Sequence, residues 1–271
     1  MTKPTSHGGA QRVADALLEE IERGTLTAGD QIPTIAVLAE KYGVNKNTAS
    51  KAVVNLKELG ILSGLAGGNT WVRVPPQHKK RSNERYHAEK EAVLLPEPDR
   101  SRAGVSEVDS GIPLTALHED KAEYMVMEAP DDVREALRLP ASASVLRRVY
   151  TRRHAKRAGV DRSISYIPYG LISGNPDLLD ASKEPWPGGT MHQLHTIGVE
   201  LDKIVDHVTA SMPTSDEVRD FDIPPRVPVI RIRKISYSTE GLPVEMMDIP
   251  IPADRIELIY TTKLERWNAA D

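Results

Sequence analysis

Apolar side chains recur at helical spacing through residues 10–23. Ala10, Val13, Leu17 and Ile21 share one face there, and Ala14 and Leu18 flank it. Gly24 suits the end of that helix, because glycine accepts the left-handed conformation of a C-terminal stop. The turn-rich "LTAGDQIP" leads to Thr34, which can cap a short helix carrying Ile35, Leu38 and Ala39. Gly43 makes a tight turn and Asn45 can cap again. Residues 46–59 then put Ala49, Ala52, Val53, Leu56 and Leu59 on one face. Short apolar runs around the glycines of "GILSGLAGGNTWVRVP" predict a small β-hairpin.

From Pro75 to about Arg102 this periodicity fades. "PPQHKKRSNERYHAEKEAVLLPEPDRSR" is charged and bounded by prolines, and reads as a linker with room for one transient helix. Beyond it, strands alternate with short helices. "AEYMVMEA" is a strand, "PDDVREALRL" a helix, and "SVLRRVYTRR" and "VDRSISYIP" a pair of strands joined by a loop containing Gly159. "GGTMHQLHTIG" is a short helix and "DKIVDHVTASMP" a strand. "TSDEVRDF" is a helix whose Thr214 and Glu217 have capping-box spacing. "PVIRIRKISYS" and "LPVEMMDIPI" form a strand pair across Glu240-Gly241. The domains predicted are thus 8–75, a linker 76–102, and 103–267. No internal repeat is visible.

Composition narrows the classes. A chain of 271 residues with 39% hydrophobic content suits two folded domains rather than a disordered protein. The absence of cysteine excludes disulfides, thiolate metal sites and thiol nucleophiles. The N-terminal stretch lacks an apolar run of signal-peptide length, and no stretch approaches a membrane span, so a cytoplasmic, nucleoid-associated protein is expected. The formal net charge is −4, but it is unevenly spread. Residues 103–271 hold 20 Lys+Arg against 27 Asp+Glu, which leaves 15 against 12 for the first 102 residues, out of 35 and 39 in all. A small basic excess at the front can be focused on one face.

That excess meets the helical pattern at residues 46–59. With the apolar face turned inward, Lys46, Asn47, Ser50 and Lys51 point outward and Thr48 lies at the edge. A major groove admits one helix, and side chains of its first turns reach the base edges. Asparagine bonds adenine bidentately, lysine meets guanine or phosphate, and hydroxyls meet phosphate. A glycine hairpin directly afterwards supplies a wing. These are the parts of a winged helix-turn-helix, although for a helix in isolation a solvated charged face is the commoner meaning of such a stripe.

The segment "IERGTLTAGDQIPTIAVLAEKYGVNKNTASKAVVNLKELGIL" resembles the GntR family of bacterial transcription regulators. Gly24, Gly29-Asp30, Ile32-Pro33, Leu38-Ala39, Gly43-Val44, Lys51-Ala52, Leu56 and Gly60 stand in family positions, and "GGNTWV" stands where the family has its glycine-rich wing. The resemblance covers about residues 10–75 and implies binding of double-stranded operator DNA by a homodimer. The residues it assigns to DNA are Thr34, Lys46, Asn47, Thr48, Ser50, Lys51, Gly67, Gly68 and Thr70. There are departures. Thr34-Ile35-Ala36 replaces the usual Ser-Glu-Arg, Asn45-Lys46-Asn47 the common Ser-Arg-Thr, Ser50 a common Arg, and Asn69 a second Gly. The operator sequence should differ accordingly.

Residues of about 103–266 are similar to the UTRA effector domain of the HutC-type subfamily. The similarity rests on "APDDVREALRLPASASVLRRVYTRR", "SISYIP" and "RKISYSTEGLPVEMMDIPIPADR". It implies a chorismate-lyase-like mixed α/β domain with a central antiparallel sheet, which binds a small-molecule effector and supplies the dimer contact. By position, Ser165, Tyr166 and Glu245 would face the effector. Arg152 or Arg153 would hold an anionic group, because a guanidinium fork fits carboxylate or phosphate. Ser106 and Ser110-Gly111 would lie on a covering loop. Ser163 stands where sugar-phosphate binders tend to carry glutamate, which disfavours an amino-sugar phosphate. The fold class expected is α+β, a winged helix-turn-helix linked to a UTRA-like domain.

Rival readings are fewer. His192 and His195, with His207, offer three imidazoles, but no carboxylate completes a metal signature, so no metal is expected. No nucleophile motif, phosphate loop or dinucleotide fingerprint appears, so neither a cofactor nor catalysis is expected. A ligand-processing enzyme on the lyase-like domain, or a C-terminal domain that only dimerises, are the alternatives.

Overall fold

The structure, a computed structural model, describes residues 8–64, 68–100, 117–154 and 159–264. Two compact units divide the chain, 1–77 with 212–228, and 78–211 with 229–271. In the first unit, α1 (Gly9–Glu22), α2 (Ile35–Lys41) and α3 (Lys46–Glu58) precede an antiparallel pair of short strands, β1 (Leu62–Ser63) and β2 (Trp71–Val72). The periodic apolar positions make its core: Val13, Leu17, Leu38, Ala49, Ala52, Val53 and Leu56 are buried together with Leu62 and Val72. The caps expected are those that form. Thr34 Oγ1 accepts from the Val37 N–H at 3.4 Å, and Asn45 Oδ1 accepts from the Thr48 N–H at 2.8 Å. Gly43 turns between α2 and α3 at φ +61°, a conformation that costs other residues about 1–2 kcal/mol. Glu20 of α1 ties down the end of α2 by accepting from Lys41 Nζ and from Tyr42 Oη.

The remaining elements follow in chain order. They are β3 (Lys79–Ser82), α4 (Arg85–Ala92), α5 (Glu97–Arg100), β4 (Leu117–Glu128), α6 (Asp131–Ala136), β5 (Ser144–His154), β6 (Asp161–Pro168), α7 (Tyr169–Ile172), α8 (Gly189–His195), β7 (Leu201–Ser211), α9 (Ser215–Phe221), β8 (Val229–Ser238), β9 (Pro243–Pro252) and β10 (Ile256–Ile259). Six of them form one antiparallel sheet in the order β4-β5-β6-β9-β8-β7, and β3 pairs in parallel with β10. Strand alternation gives the sheet two covered faces. On one, Val145, Ile235 and Met246 pack under Val133 and Leu137 of the α6 region. On the other, Leu146 and Ile167 meet Ile172 and Leu178, and nearby Val244 meets Met191 and Leu194 of α8.

The units differ from the expected boundaries in two places. The stretch 76–102, expected as a linker, carries β3 and α4 and belongs to the second unit from His78 onward. Ala92 and Val93 are buried there, and Val93 packs with Met191, Leu194 and Val244. The β7–β8 connection, residues 212–228, falls with the first unit. Its α9 has the expected capping box at Thr214 and Glu217. Its Arg226 N–H donates to the Glu58 carbonyl at the end of α3, and Arg226 Nη1 donates to Asn55 Oδ1.

Candidate nucleic-acid interface and effector site

Leu59, expected on the inner face of α3, follows the last helical turn as the C-cap and is exposed, whereas the first unit turns Ala49, Ala52, Val53 and Leu56 into the core. That fixes the outward direction of everything else on the helix. Lys46, Asn47 and Lys51 are exposed, and Thr48 and Ser50 are half-buried beside them. Thr34 is exposed at the start of α2, with its hydroxyl engaged in the cap. In the hairpin, Gly68 is exposed and Thr70 half-buried, its carbonyl accepting from the Ile32 N–H at 2.9 Å. Gly67 lies outside the described residues. Lys57, which follows Lys46 and Ser50 along α3 at helical spacing, donates to the Gly64 carbonyl and holds the hairpin's near end to the helix. The described residues assigned to DNA therefore share one unit, with two cations and an amide aligned over the first turns of α3.

In the second unit, four strands and one helix bring a buried cluster together. Arg148 of β5 stands opposite Ser165 of β6 in the strand register, and Ser236 of β8 stands opposite Glu245 of β9. Arg148 is 1% exposed, and Ser165 and Glu245 are 0%. Arg148 Nη2 donates to Glu245 Oε1 and to Ser165 Oγ, each at 2.8 Å, and Ser165 Oγ in turn donates to Glu245 Oε1 at 2.8 Å. Lys234 Nζ meets Glu245 Oε2 at 2.8 Å. From α8, Gln193 accepts from Arg148 Nη1 at 2.7 Å and Thr190 accepts from Nη2. Arg148 Nε is buried and finds no acceptor among the described residues.

Above the guanidinium lie Tyr124 and Tyr150, in an edge-to-face pair, with ring centroids 6.0 and 5.7 Å from it. Both hydroxyls donate to Glu184 Oε1, as does Gln193 Nε2. Burial pushes the Glu245 carboxyl up, but Lys234 and Arg148 outweigh it and hold its pKa at about 2. Burial likewise opposes ionisation of Glu184, and the Tyr124 hydroxyl and the Trp186 N–H overcome it. The Tyr124 hydroxyl is pushed by burial to about 12, and that of Tyr150 also rises through burial. The site thus holds ionised Arg148, Lys234, Glu184 and Glu245 beside two neutral phenols. Its opposite charges offset one another before any ligand arrives. Glu89 of α4 approaches the same region. Its Oε1 lies 3.3 Å from where a Cβ on Gly189 would stand, and Gly189 opens α8 at φ +59°.

Of the residues expected at the effector, the structure brings together Ser165 and Glu245. Tyr166 packs on the opposite face of the sheet with Ile235 and Met246, because neighbours on a strand point to opposite sides. Arg152 pairs with Asp120 across β4, its Nε 3.1 Å from the carboxylate, and Arg153 is exposed. The cation at the site is Arg148, which the sequence reading passed over in an arginine-rich strand. A signal for it existed. Counting back evenly from the middle of the 154–159 loop between the two predicted strands sets Ser165 opposite residue 148, short of 152. Ser106 and Ser110-Gly111 lie outside the described residues. His192 Nδ1 accepts from Trp186 Nε1 at 2.9 Å, and among the described residues no group of three His, Asp or Glu side chains could hold a metal ion. Also among them, no helix is long and apolar enough to cross a membrane.

A three-helix unit with a β-hairpin wing, in one chain with a six-stranded sheet that carries a buried polar cluster, defines a DNA-binding regulator with a separate effector domain. Residues 9–72 match the family "Bacterial regulatory proteins, gntR family", and residues 121–257, about half the chain, match the UTRA domain. The chain belongs to the GntR family of transcriptional regulators, in its branch carrying a UTRA domain. It is 24% identical over 247 residues to an uncharacterized HTH-type transcriptional regulator of Streptomyces coelicolor, covering 87% of this chain and 85% of that one. It is 27% identical over 258 residues to a Shigella flexneri protein named "Probable fructoselysine utilization operon transcriptional repressor", covering 93% of each. A crystal structure described as that of a GntR-family transcriptional regulator shares the fold at a TM-score of 0.63 and 23% identity, over 96% of this chain and 99% of that one. These families and relatives are transcriptional regulators, not enzymes.

Proposed function

We propose that the protein is a cytoplasmic repressor that binds a palindromic operator as a homodimer and is released or retained by a small-molecule effector. The observation that carries the DNA half is the α3 stripe. Lys46, Asn47 and Lys51 are exposed on a helix whose other face is buried. Two copies held together through their second units would set two such helices on half-sites about one helical turn apart. Lys46 and Lys51 contact phosphate or guanine, Asn47 contacts a base edge, and Thr34, Thr48, Ser50 and the hairpin residues Gly67, Gly68 and Thr70 position the backbone.

The effector half rests on the Arg148 cluster. Among the described residues Arg148 keeps one buried donor without an acceptor, and its charge is already matched by Glu245. An effector oxygen at Nε would complete the guanidinium. A full anion would have to compete with Glu245, which favours a zwitterionic or an uncharged ligand. Such a ligand shifts the protein between two arrangements only as far as its affinities for them differ. The salt dependence of operator binding tests the DNA reading. Lys46→Ala and Lys51→Ala should each weaken binding and flatten the plot of log affinity against log salt by about two ions, one for each half-site of the dimer. Unchanged affinity and slope in both variants would remove α3 from the interface.

A further inference from the structure

The exposed stripe of α3 does not end with its cations. Asn47, Lys51, Val54 and Glu58 follow one another at helical spacing on the side opposite Ala49, Ala52, Val53 and Leu56. Val54 is 49% exposed, whereas the other valine of this helix, Val53, is 3% exposed. An outward valine does nothing for the helix, since β-branched side chains are poorer helix formers than the lysine or glutamate that would serve there. From Asn47 to Val54 the helix rises about 10 Å, within the roughly 12 Å width of a major groove. One turn further, the exposed carboxylate of Glu58 faces the same way and would be repelled by phosphates. The groove-facing stripe therefore runs from Lys46 to Val54, with its one apolar member at the far end.

We propose that Val54 is a specificity determinant that reads the 5-methyl group of a thymine in each half-site. This inference rests on the assignment of α3 to the major groove. Thymine is the base that presents a methyl group there, and small apolar side chains are its complement. A partner protein or a second copy of the chain could also cover an exposed valine. The run of Lys46, Asn47 and Lys51 leading up to it favours DNA.

The test uses the full chain and the duplex it selects from a random pool. Each thymine in turn is replaced by deoxyuridine, which removes the methyl group and leaves base pairing intact. Wild type should lose about fourfold in affinity at one thymine of each half-site, the loss expected for one buried methyl group. Val54→Ala, which alters both protomers, should bind the unmodified duplex about sixteenfold more weakly, fourfold for each half-site, and show no further loss at that thymine. Circular dichroism and melting should be those of wild type, because the side chain is exposed. The proposal is overturned if wild type ignores every replacement, or if Val54→Ala keeps the same sensitivity. It is also overturned if Val54→Ala binds all duplexes as wild type does but loses a partner copy in light scattering. If no sequence is selected at all, the DNA assignment of α3 fails first and this inference falls with it.

Discussion

Glu245 joins three strands of the effector domain, because its two oxygens take Arg148 and Ser165 on one side and Lys234 and Ser236 on the other. Removing one partner of a buried pair leaves the other charge stranded, which costs about 3–5 kcal/mol. Glu245→Gln should therefore lower the urea midpoint of the second unit strongly. Arg152→Ala, in a partly exposed pair with Asp120, should cost no more than about 1 kcal/mol. The same carboxylate sets a pH dependence. Its folded pKa lies below the usual value, so the stabilisation is complete above about pH 4.5 and is lost as pH falls towards 2. The stability difference between wild type and Glu245→Gln, followed by denaturation over that window, should shrink as pH falls. A difference that stays constant would mean that Glu245 is not held ionised. Ser165 and Glu245 were legible in the sequence through "SISYIP" and "PVE". Tyr166 could have been set aside by strand parity alone. Arg148 needed the register of β5 on β6, which the hairpin loop hints at and four arginines in one strand obscure.

At the scale of elements, local signals were readable wherever the residues that make an element lie close together. The apolar periods of α1 and α3, the caps at Thr34 and Asn45 and the capping box of α9 all form as their spacing implies. Asn45 Oδ1 is engaged by the backbone of α3, so Asn45→Ala should cost about 1 kcal/mol in thermal melting of the first unit. A loss of operator affinity with no loss of stability would contradict that role. Elements whose partners are distant were not readable. β3 is four residues of "KKRS", a charged stretch with no strand pattern, and it is a strand because β10 accepts it far along the chain. The amphipathic signal of α4 is weak for a related reason. Its polar side chains are themselves engaged, with Tyr86 Oη donating to Asp206 and Lys90 Nζ donating to the Leu201 carbonyl. Gly189→Ala tests how tightly this side of the site is built. A methyl group there meets the Glu89 carboxylate at a positive φ, so a stability loss of about 1–2 kcal/mol is expected on denaturation.

For the molecule as a whole, the two domains expected from the sequence are both present. The chain crosses between the two compact units three times, near residues 77, 211 and 228. The 212–228 segment between β7 and β8 meets the end of α3 through Arg226 within the first unit, and β8 carries Lys234 of the buried cluster within the second. The proposed dimer should appear in light scattering at twice the 29.9 kDa chain mass.

Selection of bound duplexes from a random pool by the purified full chain at physiological salt tests the central claim most directly. A palindromic consensus that is lost when Lys46 and Lys51 are both replaced by alanine is the expected result. Weak, salt-sensitive binding with no consensus, equal in wild type and the double variant, would contradict the account of α3 as the reading element of this regulator.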